Sequence, residues 1–574
     1  MTGDKTDNEK KDKQPGMGKT FSLVAILTVA SKLVGLARDI VVNQAYGTGI
    51  VADAYQYAYM FTGNILILFG GLGGPFHSSV VAILTPRKDD PAAGKLLTQI
   101  FLLTLMGLLL ATLLVCLAAP LVINFWLPTY TIHPEHLPAA LQTWSANSLR
   151  GLLEQQILDQ LFVMSPLIVI SGLVGISYGI SNVYNRVFWP SLSPAVASIA
   201  IIAAVYAYAD PRTALTSGLP LAFGTLAGAV AQFLLQTPDL LQTKMEFSMS
   251  TKDEPGLKEY GAMIFPAIFS TSIGQLTVYV DSMFAGHVGQ GAWAVIINSN
   301  RLVQLPLGVL LTAMLVPILP RFTQQVEAQQ IDELKEEFRR AFRFLCFLAF
   351  PLAALLIAIP EPIVRLLFER GQFNADSTHD VSIALLFLAP SILFYVGRDL
   401  ITRVFYAFKD SSTPFRVALI ALAVKAALDY FFVYVLEMDV RGISIASTII
   451  TILNLMLLSY FLKGKIGPLG FTRMIQPLTI MLLASAACGA AAFGVEKAID
   501  IGETLKLPLK LHANNPHWPL LVFSSISFCI KAIPVAVACL AAGLVYFISC
   551  IIFRLEELDM LAKRVPILGK LLKR

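Results

Sequence analysis

Residues 21–46 read FSLVAILTVASKLVGLARDIVVNQAY, an apolar stretch long enough to cross a bilayer that nevertheless carries Lys32, Arg38 and Asp39. A membrane-spanning helix needs about 20 mostly apolar residues, and a charge placed inside one is costly and usually functional. The rest of the chain repeats this pattern. Its 574 residues are 56% hydrophobic and only 14% charged, with a mean hydropathy of +0.68, whereas soluble domains carry about 25% charged residues. That balance excludes a soluble enzyme, a disordered chain and a collagen-like one. The composition predicts an all-α polytopic membrane protein.

Fourteen stretches qualify as spans, near 21–46, 52–84, 96–126, 157–182, 190–209, 217–237, 260–287, 296–320, 342–367, 380–407, 415–436, 442–462, 474–497 and 531–553. Several exceed 25 residues, which predicts tilted or broken helices; Gly70, Gly71, Gly73, Gly74 and Pro75 mark a break in the second. The apolar run 518–553 is too short for two crossings and a turn, so it reads as one span preceded by an interfacial segment. An even number of spans puts both termini on one side. Placing them in the cytoplasm leaves 29 of the 43 Lys and Arg residues on the inner side and nine on the outer, the asymmetry expected of cytoplasmic loops. Five cations then lie within the membrane: Lys32, Arg38, Arg301, Arg398 and Lys425.

The halves of the chain resemble each other. ILTPR at 83–87 is matched by ILPR at 318–321, and NRVF at 185–188 followed by SLSP at 191–194 is matched by TRVF at 402–405 followed by SSTP at 411–414. Each half holds six spans, so the halves share an orientation and are related by an axis along the membrane normal, with a site between them. The expected organisation is a polar tail at 1–20, an N-lobe at 21–240, a cytoplasmic linker at 241–258, a C-lobe at 259–463, two further spans within 464–553 and a basic amphipathic tail at 554–574.

Lys32 and Asp39 are seven residues apart and share a helix face, while Arg38 points about 100° away. Lys and Arg facing a wet cavity could hold a diphosphate through charge-assisted bonds; alternatively Arg38 pairs with Asp39 or Asp53 and ties two helices together. Arg301 has no acid nearby in its own helix, so it should face a cavity, a partner or an anionic substrate. Arg398 and Asp399 are adjacent and could be a structural or gating pair. Lys425 and Asp429, spaced i, i+4, can touch. With Asp281 they could form a sodium or proton site, or the lysine could serve as a built-in counter-ion. The seven histidines give no metal pattern: His133 and His136 flank Pro and Glu in an outer loop, and a lone His77 is more often hydrogen-bonded structure. The six cysteines read as small apolar side chains. Asp89 and Asp90 lack a partner motif, and neither a GxSxG elbow nor a Walker loop appears; no enzyme, organic cofactor or nucleic-acid partner is indicated. Residues 321–343 read as an amphipathic helix on the inner surface or a solvated connector, and the C-terminal LAKRVPILGKLLKR could lie on anionic lipid.

At these residues the chain resembles the MurJ/MviN family of lipid II flippases, in the superfamily that also holds MATE-type multidrug exporters and polysaccharide flippases. The resemblance spans about residues 21–555. It rests on SKLVGLARD at 31–39, Asp53-Ala54, NRLVQLPLG at 300–308, LFERGQF at 367–373 and STP at 412–414. It implies two six-helix lobes around a cationic cavity, with two last helices forming a groove for a polyprenyl tail. It also implies a bacterial inner-membrane protein, acting as a monomer, that moves undecaprenyl-diphosphate-linked peptidoglycan precursor outward by alternating access. Membrane potential or an ion, Na+ or H+, would drive it, and cell-wall synthesis proteins are possible partners. Arg38 and Arg301 match cavity arginines of the family, Lys32 stands where relatives have Arg, and Asp53 matches a family acid. Asp281 and Asp429 match positions of a sodium site seen in some members. Two departures stand out: relatives carry an Arg pair and a Glu in the second span, where ILILFGG at 65–71 is apolar, and Lys425 replaces a neutral ligand. The rival readings are a cation-coupled MATE-like drug exporter, a flippase for another polyprenyl-linked saccharide, and a membrane scaffold acting through its tails.

Overall fold

The computed structural model describes residues 17–70, 74–87, 90, 93–126, 130–132, 141–184, 186, 188–210, 213–241, 255–470, 472–499 and 520–558. The amino tail to residue 16, most of the expected linker, Gly71, Gly73, Asp89, His133, His136 and the tail from 559 lie outside them. The first half comprises α1 (Met17–Tyr46), α2 (Ile50–Gly70), α3 (Pro75–Leu84), α4 (Ala93–Trp126), α5 (Ala146–Met164), α6 (Leu167–Val183), α7 (Phe188–Tyr208), α8 (Leu219–Leu234) and the short α9 (Thr237–Leu241). The second comprises α10 (Pro255–Val288), α11 (Ala292–Glu327), α12 (Ile331–Ala358), α13 (Pro360–Phe368), α14 (Ala375–Leu388), α15 (Ser391–Ala407), α16 (Ser412–Tyr430) and α17 (Asp439–Ile466); α18 (Thr472–Ile499) and α19 (Leu520–Ile552) follow.

Each of the fourteen apolar stretches falls on a helix or on two consecutive helices. Eight described helical spans are long and apolar enough to cross a membrane, and a ninth forms if α14 and α15, bent by 48°, count as one. The bend falls at Ala389-Pro390, where a proline cannot continue the helical hydrogen-bond ladder. The expected break of the second stretch is also present: α2 ends at Gly70, and α3 restarts with Pro75 after Gly74. The final apolar run is helical from Leu520 to Ile552 (α19), and its part Ala532–Ile552 is the length of chain apolar enough to cross a membrane.

Burial is organised for lipid. On α4, Leu110, Leu113, Leu117 and Leu121 are exposed, a stripe that only a hydrocarbon surround would cover. Helix interfaces use small residues instead, because without water to drive association close backbone approach supplies the packing. Ala484, Cys488 and Ala492 of α18 face Ala538, Ala542 and Cys550 of α19, all fully buried, and Cys346, Cys488 and Cys550 are free thiols packed as apolar groups. In α8, a Cβ on Gly228 would lie 2.7 Å from the Ala197 carbonyl oxygen of α7.

The helices pack in two groups, α1–α8 and α10–α17, while α18 and α19 pack on each other and on α12. One seam between the groups runs along α10 against α2, α3 and α4: Tyr57 donates to the Ser282 carbonyl at 3.1 Å, Thr104 and Tyr260 share a hydroxyl contact at 2.9 Å, and Arg87 pairs with Glu259 at 2.9 Å. The other brings α1 and α2 to α11.

Residues 321–343 do not form one surface helix. They are the ends of α11 and α12, folded into a hairpin at Gln329, whose φ of 57° lies in the left-handed region. Arg321 and Gln325 of one arm bond Glu337 of the other at 3.1 and 2.6 Å. At the α15–α16 turn, partial burial pushes the Asp410 carboxyl up. Bonds from the Lys465 ammonium, the Thr413 N–H and the Ser412 and Thr413 hydroxyls outweigh this and hold it well below the usual carboxylate range. The SSTP repeat motif therefore serves as a helix-start clamp. His77 likewise has a structural partner, Asn182 at 3.0 Å.

Candidate functional site

The intramembrane charges of α1 and α11 meet. Arg38 donates from Nε (3.1 Å) and Nη2 (2.8 Å) to Oδ1 of Asp39, and Nη1 of Arg301 reaches the same oxygen at 3.2 Å. The acid absent from Arg301's own helix is thus supplied by the other lobe. Arg38 and Arg301 keep 28% and 27% of their side-chain surface open, so both guanidiniums remain accessible from outside the protein packing. The hydroxyls of Tyr55 and Tyr59, on α2, lie close enough to interact with both guanidiniums. Gly308 of α11 faces the Lys32 ammonium so closely that a Cβ there would collide with it. Lys32, Arg38 and Arg301 against one Asp39 carboxylate leave a net charge of +2 along the α1–α11 seam.

Toward the predicted outer end the seam is sealed. Asn43 and Asn298, both buried, exchange reciprocal amide bonds of 3.0 Å. Asp53, fully buried, does not meet Arg38. It accepts from Gly291 N (2.6 Å), Ala294 N (2.8 Å) and the Tyr130 hydroxyl (2.9 Å). These amides are the first-turn donors of α11, which has no side-chain cap of its own, so a carboxylate from α2 caps a helix of the opposite lobe and sits at the positive end of its dipole. LFERGQF at 367–373 acts at the same place: Gln372 N donates to the Gln44 carbonyl at 2.9 Å, and Gly371, at φ 57°, has no room for a Cβ against that same carbonyl. Thr48 and Ser377 share a hydroxyl contact of 2.7 Å. Asn43, Asn298, Gln44, Thr48 and Ser377 were not singled out by the sequence; the available signal was an asparagine in each apolar helix within about five residues of a charged motif.

Arg398 and Asp399 do form a pair, with Nε and Nη2 at 2.9 and 2.7 Å from Oδ1, and the guanidinium lies 4.5 Å from the centre of the Tyr395 ring. Both lie on α15, within the second group. The second cluster is also assembled: Lys425 Nζ donates to both oxygens of Asp429 at 2.7 Å and contacts Oδ1 of Asp281. The ammonium sits between the two carboxylates, so these residues do not fit a sodium ion. Among the described residues no group of three or more His, Cys, Asp and Glu side chains could hold a metal ion.

A two-lobed bundle of apolar helices, with lobes joined through buried polar contacts and a surplus of positive charge on the seam, defines a polytopic membrane transporter for an anionic substrate. A model of the family described as lipid II flippase MurJ matches residues 42–500, and the chain belongs to that family. A probable lipid II flippase MurJ from Synechocystis sp. is 33% identical over 424 residues, 71% of this chain and 75% of its own length. One from Rhizobium meliloti is 26% identical over 416 residues, 71% and 74% of the two chains. Among solved structures, a lipid II flippase MurJ in an inward closed conformation shares the fold with a TM-score of 0.70 at 22% identity, over 93% of this chain and 99% of that one. An inward-facing MATE multidrug transporter of the MOP superfamily gives 0.60 at 15% identity, over 78% and 99%.

Proposed function

We propose that this chain translocates lipid II, the undecaprenyl-diphosphate-linked peptidoglycan precursor, from the inner to the outer leaflet of a bacterial cytoplasmic membrane. The observation that carries the reading is Asp39 held between Arg38 and Arg301 of opposite lobes. A carboxylate is a resident anion in a site built for anions. An incoming diphosphate offers more oxygens and more charge to the same forked donors and can replace Asp39 as counter-ion of Arg301. The α1–α11 contact then no longer depends on Asp39, and the lobes can rock about the α10 seam. The prenyl tail stays in lipid beside α18 and α19.

With both termini in the cytoplasm, as the Lys/Arg asymmetry favours, the sealed end of the seam faces outward and the hollow receives substrate from inside. A single chain supplies both lobes, so a monomer is a complete transport unit. A net-positive cavity disfavours the cationic drugs of a MATE-like exporter. The potential across the membrane, negative inside, itself favours outward movement of an anionic head group by about 2.3 kcal/mol per charge per 100 mV.

In proteoliposomes, protein-dependent appearance of lipid II at the opposite leaflet should accelerate when a potassium diffusion potential makes the loading side negative, and slow when the potential is collapsed. Absence of any protein-dependent movement of lipid II under either condition would overturn the reading.

A further inference from the structure

We infer that Lys425 is a tethered cation: its ammonium permanently occupies a cation site between Asp281 of α10 and Asp429 of α16, so that the C-lobe works without sodium. The geometry is that of a chelated ion. Nζ lies 2.7 Å from each oxygen of Asp429 and in contact with Oδ1 of Asp281, and the Lys425 and Asp429 side chains are 1% and 0% exposed. Two carboxylates drawn from different helices around one small positive centre are the ligand type that hard cations require. A second cation at that point would sit against the ammonium it displaces, in a dry interior where like charges repel strongly.

The position gives the site leverage over the lobes. α10 forms the long seam with α2, α3 and α4, and the pair joins that helix to α16. Directly after Asp429 and Tyr430, α16 passes into a π-helical turn over Phe431–Val435, a local widening that often marks functional sites. Tyr434 of that turn stacks on His287 of α10, with ring centres 3.9 Å apart. The two helices are thus tied by the ion cluster and, about one turn away, by a ring stack. A mobile ion would make this tie depend on the salt outside the cell; a lysine makes it constant.

This inference does not depend on what the cavity carries, and binding alone can test it. The purified full-length protein and Lys425→Met are melted in NaCl and in choline chloride at matched ionic strength, and each is titrated with radioactive sodium. The wild-type protein should melt at the same temperature in both salts and bind no sodium saturably. Lys425→Met, with two carboxylates and no amine, should bind sodium saturably and gain about 2–4 °C in NaCl alone, as expected when a ligand binds only the folded state. Adding Asp429→Asn to that variant should remove the response. Saturable sodium binding by the wild-type protein overturns the inference, as does a folded Lys425→Met that melts identically in the two salts. If Lys425→Met cannot be purified, the wild-type titration decides the matter on its own.

Discussion

Arg301→Ala should reach the membrane in normal amount yet fail to sustain growth of a cell depleted of its own flippase, with lipid II movement reduced at least about tenfold. Arg301 touches Asp39 across the lobes at 3.2 Å, and hydrogen bonds to charged groups contribute about 1.5–3 kcal/mol each, so losing one such contact to the substrate accounts for a factor of that size. The folding cost should be small, because the side chain keeps 27% of its surface open. Arg301→Lys separates charge from geometry: it keeps the cation but loses the planar fork that grips two oxygens at once, and should retain part of the activity. Full growth with Arg301→Ala would remove this arginine from the substrate pathway.

Thr48→Cys together with Ser377→Cys should arrest transport completely under oxidising conditions and release it on reduction. The two hydroxyls lie 2.7 Å apart on opposite lobes, within the reach that a disulfide between replacing cysteines requires. They flank the other outer-end contacts, Asn43 with Asn298 and Gln44 with Gln372. If alternating access requires this end to open, a covalent bridge here holds the protein with its hollow on one side only. Either single cysteine should remain active in both conditions. A cross-linked double mutant that still moves lipid II would show that the lobes need not separate at this seam.

Much of this architecture was legible in the chain because the bilayer imposes simple rules. Apolar length located every helix or helix pair, and the scarcity of charge made Lys32, Arg38, Arg301, Arg398 and Lys425 conspicuous. What the sequence hid were partners. Asn43 and Asn298 are 255 residues apart, and nothing local to either predicts that they meet. The rigid helical wheel separated Arg38 from Asp39 by about 100°, yet the long, flexible arginine wraps back and bonds the adjacent carboxylate. Asp53 was legible as an acid in a costly place but not as the cap of a helix in the other lobe, since the residue before α11 is Gly291, which has no side chain to cap with or to signal one. LFERGQF was readable as a motif, while its physical role emerged only with the Gln44 carbonyl lying against Gly371. Residues 321–343 admitted both a surface helix and a solvated connector; a connector forms, because the left-handed backbone at Gln329 splits the run between two helices.

Delivery of lipid II to the outer leaflet is the activity we assign to this protein. Its most direct test is the amount of precursor at the outer leaflet that a membrane-impermeant label can reach, measured before and shortly after acute depletion of the protein. The reachable precursor should collapse while the total pool persists or grows. An unchanged outer-leaflet pool after the protein has gone would contradict it.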